Sequence, residues 1–473
     1  MIKLVLGEVV DAIDGRTEDV VPPVSVTGVS TDSRTVAEGE LFFALSGERF
    51  DGHAFVVKAL QRDAVAAVIS GSRAAEVAEA LAAAGVDGPL IEVDEPLAAL
   101  GRLAVFHGKQ TSTDVIAVVG SNGKTTTKAM IDHILKGRMR GRCSPKSFNN
   151  AIGVPLTLLT AEAADDYLVV EIGTNAPGEV AELAALSRPD MAVITGIGEE
   201  HLEGLGDLDG VAAEECSILS YVDEGGFAAV NTDWPRIREF MPERRMTLAT
   251  FGREADADLR VTATRYEMPW LHFELNGRFE YRLRMPGVHN AINAAGAIAI
   301  ARRLGFEHEE IAERLTSFAA LPMRSEVLKL GGVTVINDAY NANPASTLAA
   351  IDALEALSVT GRRVVVFGEM RELGAQSAKL HGKVAERLKA GTAEQVLLVG
   401  AAVEMMHDVL ADGTLFGPRV ECCETVEQCG EKLVAMLRDG DAVLLKASRA
   451  VGLDRLVTPL SAALGEEDAA PDA

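Results

Sequence analysis

The sequence predicts an α/β protein of three domains, and three observations carry that expectation. The chain has 473 residues, which corresponds to roughly three domains at about 150 residues each. Short continuous apolar runs alternate with helix-length segments, the pattern of parallel sheets covered by helices. These runs fall into three groups, with breaks near residues 94 and 321. The expected domains are therefore 1–94, 95–321 and 322–473, the last ending in a flexible, acidic and Ala/Pro-rich tail from about residue 465.

The first group opens with strand-like runs over Val24–Val29, Leu41–Leu45 and Ala66–Ile69, followed by an Ala-rich helix over about Ser72–Ala84. From Pro96 to about His107, Leu97, Leu100, Leu103, Ala104 and Phe106 fall on one helix face, which suits a lead-in helix to the second domain. That domain begins with the buried-strand run Val115–Val119 and continues with Tyr167–Ile172 and Met191–Thr195. A third unit starts near Pro322. Its strands are Val333–Ile336, Arg363–Phe367, Gln395–Val399 and Ala442–Leu445.

Composition excludes several function classes. With 45 Lys and Arg against 70 Asp and Glu, the formal charge is −25. Nucleic acid and anionic membrane surfaces both select a net basic face, so neither is an expected partner. A local cationic pocket for a small anion remains compatible with that charge. Hydrophobic residues make up 48% of the chain and charged ones 24%, a globular balance. No apolar run approaches the roughly 20 residues of a membrane-spanning helix. Glu8 and Asp11 follow Met1–Leu6 at once, which gives no signal-peptide core. Cys143, Cys216, Cys422, Cys423 and Cys429 have no metal-ligand spacing and are expected to be reduced thiols. The expected location is cytoplasmic.

The most informative segment is Gly120-Ser121-Asn122-Gly123-Lys124-Thr125-Thr126, between the strand Val115–Val119 and a helix expected from about Thr127. A Gly-rich turn there points backbone N–H groups at an anion, and the helix N-terminus adds positive partial charge. Lys124 then neutralises phosphate oxygens and the Thr125 hydroxyl suits Mg²⁺. A full phosphate-loop consensus asks for Gly where this chain has Val118. Gly-Lys-Thr alone is a weak signal, and the flanking strand and helix are what give it weight. Glu171 ends a buried strand, so its carboxylate belongs at the sheet's ligand-binding edge. It suits a metal ligand, with a cap or a solvated glutamate as the plain alternative. His201, in His-Leu-Glu-Gly, follows another strand; on its own it reads equally as a surface histidine.

Together these segments resemble the Mur ligases, ATP-dependent amino-acid-adding enzymes of peptidoglycan synthesis; folylpolyglutamate synthases share the central loop. Three further segments resemble the member that adds D-alanyl-D-alanine to UDP-N-acetylmuramoyl-tripeptide. These are Ser30–Arg34 with Leu41–His53, Phe148–Thr157, and Asn337–Pro344. The resemblance runs in order from about residue 25 to about 455.

The resemblance implies a three-domain Mur ligase architecture: a UDP-sugar-binding domain, a central phosphate-loop ATPase domain with a parallel sheet, and a Rossmann-like ligase domain. It implies ATP, two Mg²⁺ ions, a monomer, and an acyl-phosphate route to the peptide bond. Thr31, Asp32, Ser33 and Arg34 would lie near the uridine diphosphate, although a Ser/Thr-rich turn is more often only a turn. Asn149 and Asn150 would contact the muramoyl peptide. Asn290 and Asn293 would contact adenine, where residue chemistry alone suggests a helix cap with small-residue packing. Arg324 would reach ATP phosphate and Asp338 the ribose. Lys446, Ser448 and Arg449 would lie near the incoming dipeptide, with Ala447 and Ala450 where the family usually has Gly.

Thr125 and Glu171 would hold one Mg²⁺ and His201 the other. The family usually carries a CO₂-modified lysine fourteen residues after that histidine, and Glu215 stands there in this chain. Glu215 would then serve as a built-in carboxylate at the second metal, the alternative being a solvent-facing helical glutamate paired with Glu214. Rival expectations are a sibling ligase or a folylpolyglutamate synthase adding one amino acid, and a non-catalytic ATP-binding regulator.

Overall fold

Residues 4–17, 22–47, 50–243, 245–411 and 417–465 are described in the computed structural model of the chain. Met1–Lys3, Glu48, Arg49 and the tail residues 466–473, all invoked above, lie outside them.

Three separate sheets organise the described residues. In the first, Gly28–Ser30, Glu40–Phe43, Ala66–Ser70 and Leu90–Val93 run parallel in that order. The single strand expected over Val24–Val29 is in fact two. Ser25–Val26 pairs antiparallel with Leu4–Val5, whereas Gly28 starts a strand of the main sheet. Thr27 lies between them, and its N–H already donates to Gly39 O at 2.9 Å, beside the main-sheet strand Glu40–Phe43. The helix Ala74–Ala84 stops at Gly85, whose φ of 63° is left-handed and favours glycine.

The lead-in helix is Pro96–Gly108. Glu95 caps it by accepting from Ala98 N at 2.6 Å, and Pro96 supplies a first-turn residue that needs no N–H partner. Leu100, Leu103 and Ala104 are fully buried, with Leu97 and Phe106 partly so, as the apolar spacing predicts. They join the first sheet to the central one in a single apolar core. Each buried leucine contributes about 1.5–3 kcal/mol, so the first two domains meet through packing.

The central sheet has nine strands. Its order is Gly141–Cys143, Tyr167–Glu171, Asp114–Val119, Met191–Ile194, Phe227–Asn231, Thr247–Gly252, Leu259–Glu267, Trp270–Leu275 and Phe279–Leu283. The pairings as far as Leu259–Glu267 are parallel, and the last two are antiparallel. The third sheet has six strands in the order Glu326–Leu330, Val333–Asn337, Ala442–Lys446, Arg363–Gly368, Gln395–Val399 and Arg419–Cys423. Only its first pairing is antiparallel.

Leu202, Leu205 and Val211, from the chain that leaves the central sheet, pack into the core of the third unit beside Ile336 and Ile351. That contact seats the third sheet against the carboxyl edge of the second. All five cysteines are free. Among the described residues no helix is long and apolar enough to cross a membrane.

Candidate active site

The strand Asp114–Val119 lies between Tyr167–Glu171 and Met191–Ile194, so its carboxyl end opens where ligands of parallel sheets bind. Gly120 follows with φ of 119°, and a Cβ there would sit 2.4 Å from Thr195 Oγ1. Gly123 has φ of 81°, and a Cβ there would sit 2.1 Å from Asn293 Oδ1. Neither position admits a side chain. The helix begins at Lys124, not near Thr127, because Gly123 itself is the left-handed N-cap. No side chain caps it, so its first N–H groups are left for a ligand.

A cavity of about 540 Å³ opens over this loop, within the usual range for a small-molecule site. Of the residues singled out from sequence, its wall holds Ser121, Asn122, Gly123, Lys124, Thr125, Thr126, Glu171 and His201. It also holds Asn149, Asn150, Asn290 and Asn293, together with Arg324, Asp338 and Lys446 from the third domain. The site is thus built at the junction of two domains.

Lys124 Nζ donates to Gly120 O at 2.5 Å and lies 3.5 Å from Glu200 Oε1. Burial works against its charge, but Glu200, Glu215 and Glu171 outweigh that and raise its pKa. It therefore stays cationic. Glu171 is 1% exposed; its Oε1 accepts from Asn149 Nδ2 at 3.0 Å, and its Oε2 lies 3.1 Å from Lys128 Nζ. Lys128 also donates to Ser144 O and Lys146 O, which ties the segment before Asn149 to the loop helix.

His201 has φ of 48°, an uncommon left-handed conformation for this residue type. Its Nδ1 lies 2.6 Å from Glu372 Oε2, and its Nε2 lies 3.9 Å from Glu200 Oε2. Burial lowers the imidazole pKa, yet the bond to Glu372 and the charge of Glu200 raise it overall. Burial raises the Glu200 carboxyl, against the pull of Lys124.

Glu215 is fully buried and does not face solvent. Its Oε2 accepts from Gly120 N at 2.8 Å, so it supports the phosphate loop from behind and is not part of the cavity wall. Burial pushes its carboxyl up to about 7, against the attraction of Lys124. Glu214 is no solvent-facing twin. It accepts from Gly178 N and Val180 N, both at 2.7 Å, at the start of the helix Glu179–Ser187.

From the third domain, Asp338 and Lys446 reach the cavity bonded to each other. Lys446 Nζ donates to Asp338 Oδ2 at 2.5 Å and to Asn341 O at 2.8 Å. The arginine expected at phosphate, Arg324, lies over the Tyr340 ring with its guanidinium carbon 4.0 Å from the centroid. Asn343 Nδ2 donates to Asn122 Oδ1 at 2.9 Å, a direct link from the third domain to the loop.

Other expected residues stand apart. Asp32 accepts from Arg34 N at 2.9 Å and pairs with its guanidinium at 2.7 Å; the Arg34 hydrogen bonds hold the Asp32 carboxyl at about 2. Thr31, Asp32, Ser33 and Arg34 are absent from the cavity wall. Asn150 Oδ1 accepts from Gly153 N at 2.9 Å, a local turn, although the residue borders the cavity. Ser448 is buried, its Oγ accepting from Arg371 N, and Arg449 pairs with Asp454 at 3.1 Å; neither reaches the wall. Asn290 Nδ2 donates to Pro286 O at 2.7 Å, while Gly287 is the N-cap of that helix.

Sequence reasoning missed Lys128, Glu200 and Glu372. Lys128 carried a signal, one turn beyond Lys124 on the loop helix. Glu200 had only adjacency to His201, and Glu372 had none.

Three family models match in order: "Mur ligase family, catalytic domain" over 25–107, "Mur ligase middle domain" over 118–301, and "Mur ligase, glutamate ligase domain" over 323–449. The UDP-N-acetylmuramoyl-tripeptide–D-alanyl-D-alanine ligase of Bacillus subtilis is 34% identical over 448 residues, covering 92% of this chain and 93% of its own. The chain belongs to the Mur ligase family.

Solved Mur ligases share its whole fold. MurF from Acinetobacter baumannii superposes with a TM-score of 0.86 at 26% identity, over 97% of this chain and 99% of that one. MurF from Thermotoga maritima, solved in complex with ADP, gives 0.79 at 27% identity over 93% and 98%.

The donor set of this Mur ligase fits magnesium. Thr125 Oγ1, Glu200 Oε1 and Glu215 Oε1 are buried without a hydrogen-bond partner, and so is Glu171 Oε2, whose contact with Lys128 is an ion pair only. Among the described residues no three His, Cys, Asp or Glu side chains converge on one point. The Thr125 hydroxyl and the Glu171 and Glu200 carboxylates are hard oxygen donors on the cavity wall, the kind Mg²⁺ takes one or two of before completing its shell with water and substrate phosphate.

Proposed function

We propose that this chain is the ATP-dependent ligase that adds D-alanyl-D-alanine to UDP-N-acetylmuramoyl-tripeptide, forming ADP and phosphate. The observation that carries the reading is the phosphate loop opening into one cavity with His201, Glu200 and the third-domain Arg324. The near full-length kinship with ligases of that specificity names the substrates.

The tripeptide carboxylate attacks the γ-phosphate of ATP, giving an acyl phosphate and ADP; the dipeptide amine then attacks the acyl carbon and phosphate leaves. The protein's task is to hold two anions together and cancel their repulsion. Lys124 and Arg324 face the phosphates, and the uncapped amides after Gly123 take up the chain of anionic oxygens. Asn290 and Asn293 border the adenine side. Thr125 and Glu171 would hold one Mg²⁺, and His201 would hold the second beside Glu200, with Glu215 as a fixed carboxylate behind the loop. Bound magnesium supplies charge neutralisation at the transferring phosphoryl group. Glu372 orients His201 by binding Nδ1, leaving Nε2 as the free nitrogen. Docking of the third domain shields the acyl phosphate from water.

Domain boundaries near 94 and 321, a cytoplasmic location and a monomeric state belong to the same proposal. So does a uridine diphosphate site at Thr31–Arg34, where release of Arg34 from Asp32 accompanies binding. At the central cavity Lys446 acts through its bond to Asp338, which borders the ribose, with Ser448 and Arg449 framing the dipeptide side.

Phosphate release with ATP, Mg²⁺, UDP-N-acetylmuramoyl-tripeptide and D-alanyl-D-alanine tests this. Release that requires both amino-acid substrates supports it. Equal turnover with a single amino acid, or with a folate acceptor and glutamate, assigns a sibling activity. ATP binding without any turnover assigns a regulator.

A further inference from the structure

Ser147 lies on the cavity wall, in the segment between Lys146, whose carbonyl Lys128 binds, and Asn149, which binds Glu171. Two third-domain groups converge on its hydroxyl oxygen. Tyr340 Oη donates to Ser147 Oγ at 2.8 Å, and Arg324 Nη2 donates to it at 3.4 Å. The Arg324 guanidinium also stacks on the Tyr340 ring, 4.0 Å from its centroid. A serine hydroxyl has two acceptor lone pairs and one proton. Both lone pairs are engaged by the third domain, so the proton is left to donate elsewhere. No acceptor for it occurs among the described residues, and the cavity is the space it borders.

We infer that Ser147 is a positioning residue that couples docking of the third domain to placement of Arg324 on the substrate anions. Tyr340 and Ser147 together hold a flexible arginine in one direction, and the Ser147 O–H donates to a substrate oxyanion in the cavity. The same segment carries Asn149 and is pinned through Lys128, so acceptor binding and arginine alignment are set by one short stretch of chain. The electrostatic reason is preorganisation: a guanidinium aimed before the phosphoryl group moves stabilises the transition state without reorganising. This rests on the proposed ligase reading and adds to it residues that the sequence did not single out for this role.

The test is steady-state kinetics of the full chain with ATP, muramoyl tripeptide and D-alanyl-D-alanine, comparing wild type, Ser147→Ala and Tyr340→Phe, with thermal melting of each. Wild type must turn over first; a wild type without ligase activity removes the underlying reading, not this one alone. Ser147→Ala should lower kcat about 10- to 100-fold, the scale of a lost hydrogen bond to a charged group. Its KM for ATP should stay within about twofold and its melting temperature close to wild type, since uniform binding is untouched. Tyr340→Phe keeps the stacked ring and loses only the hydroxyl, so it should lower kcat by less. A Ser147→Ala enzyme with wild-type kcat, or one changed only in KM for ATP, overturns the inference. If Ser147→Ala does not fold, Tyr340→Phe decides: unchanged kcat overturns the inference and a selective loss of kcat supports it.

Discussion

His201 Nδ1 and Glu372 Oε2 stand 2.6 Å apart, joining an imidazole of the central domain to a carboxylate of the third. The contact fixes which ring nitrogen faces Glu200, and it exists only while the two domains are docked. Glu372→Ala should therefore reduce turnover about 10- to 100-fold, the usual effect of removing the partner that orients a metal-binding histidine. The loss should shrink at high Mg²⁺. A Mg²⁺ titration of phosphate release that superposes on wild type would contradict this.

Lys124→Ala should lose turnover by at least about 100-fold, the scale of removing one transition-state donor, while the chain stays folded. The Lys124 side chain is only 13% exposed and faces the buried Glu200. The variant leaves Glu200 without its cation and removes the attraction that opposes the burial-driven rise in its pKa. Circular dichroism should be unchanged. Activity within tenfold of wild type at saturating ATP would show that this loop is not the phosphate site.

Asp338 and Lys446, expected to serve two different ligands, are each other's partner across the strands Val333–Asn337 and Ala442–Lys446. Removing one member of a buried pair costs about 3–5 kcal/mol through the charge left behind. Lys446→Met and Asp338→Asn should each lower the denaturation midpoint, and the double variant should be less unstable than their sum. Additive effects in that cycle would mean the pair is not coupled.

Glu214 and Glu215 divide stability from activity. Glu214→Ala strips acceptors from Gly178 N and Val180 N and should cost about 1–3 kcal/mol of stability. Glu215→Ala removes the acceptor of Gly120 N at the phosphate loop and should lose much more turnover than Glu214→Ala. Wild-type activity should be indifferent to removing bicarbonate, and Glu215→Lys should respond to adding it. Equal turnover of Glu215→Ala and wild type across a Mg²⁺ titration would end the role given to Glu215.

The framework of the fold was legible because buried parallel strands are continuous apolar runs, and every such run in the second and third domains became a strand. The antiparallel strands over Leu259–Leu283 were not recognised, since one exposed face gives them only a mixed pattern, as at Arg265, His272 and Arg282. At the site, the phosphate loop was readable because glycine, lysine and threonine are local and ordered along the chain. Glu372 and Ser147 were not, because their significance arises only where two domains meet. The Arg34 guanidinium looked free for a diphosphate because a sequence does not show that Asp32 binds it.

The acyl-phosphate route is tested by turnover of muramoyl tripeptide carrying ¹⁸O in its terminal carboxylate. Attack of that carboxylate on the γ-phosphate, followed by amine attack on the acyl carbon, transfers one labelled oxygen to the phosphate released in each turnover. Mass spectrometry of the phosphate should show one ¹⁸O per molecule, dependent on D-alanyl-D-alanine for turnover. Unlabelled phosphate, with both labelled oxygens still on unligated tripeptide or with the oxygen lost on amide formation appearing elsewhere than in phosphate, would contradict this route.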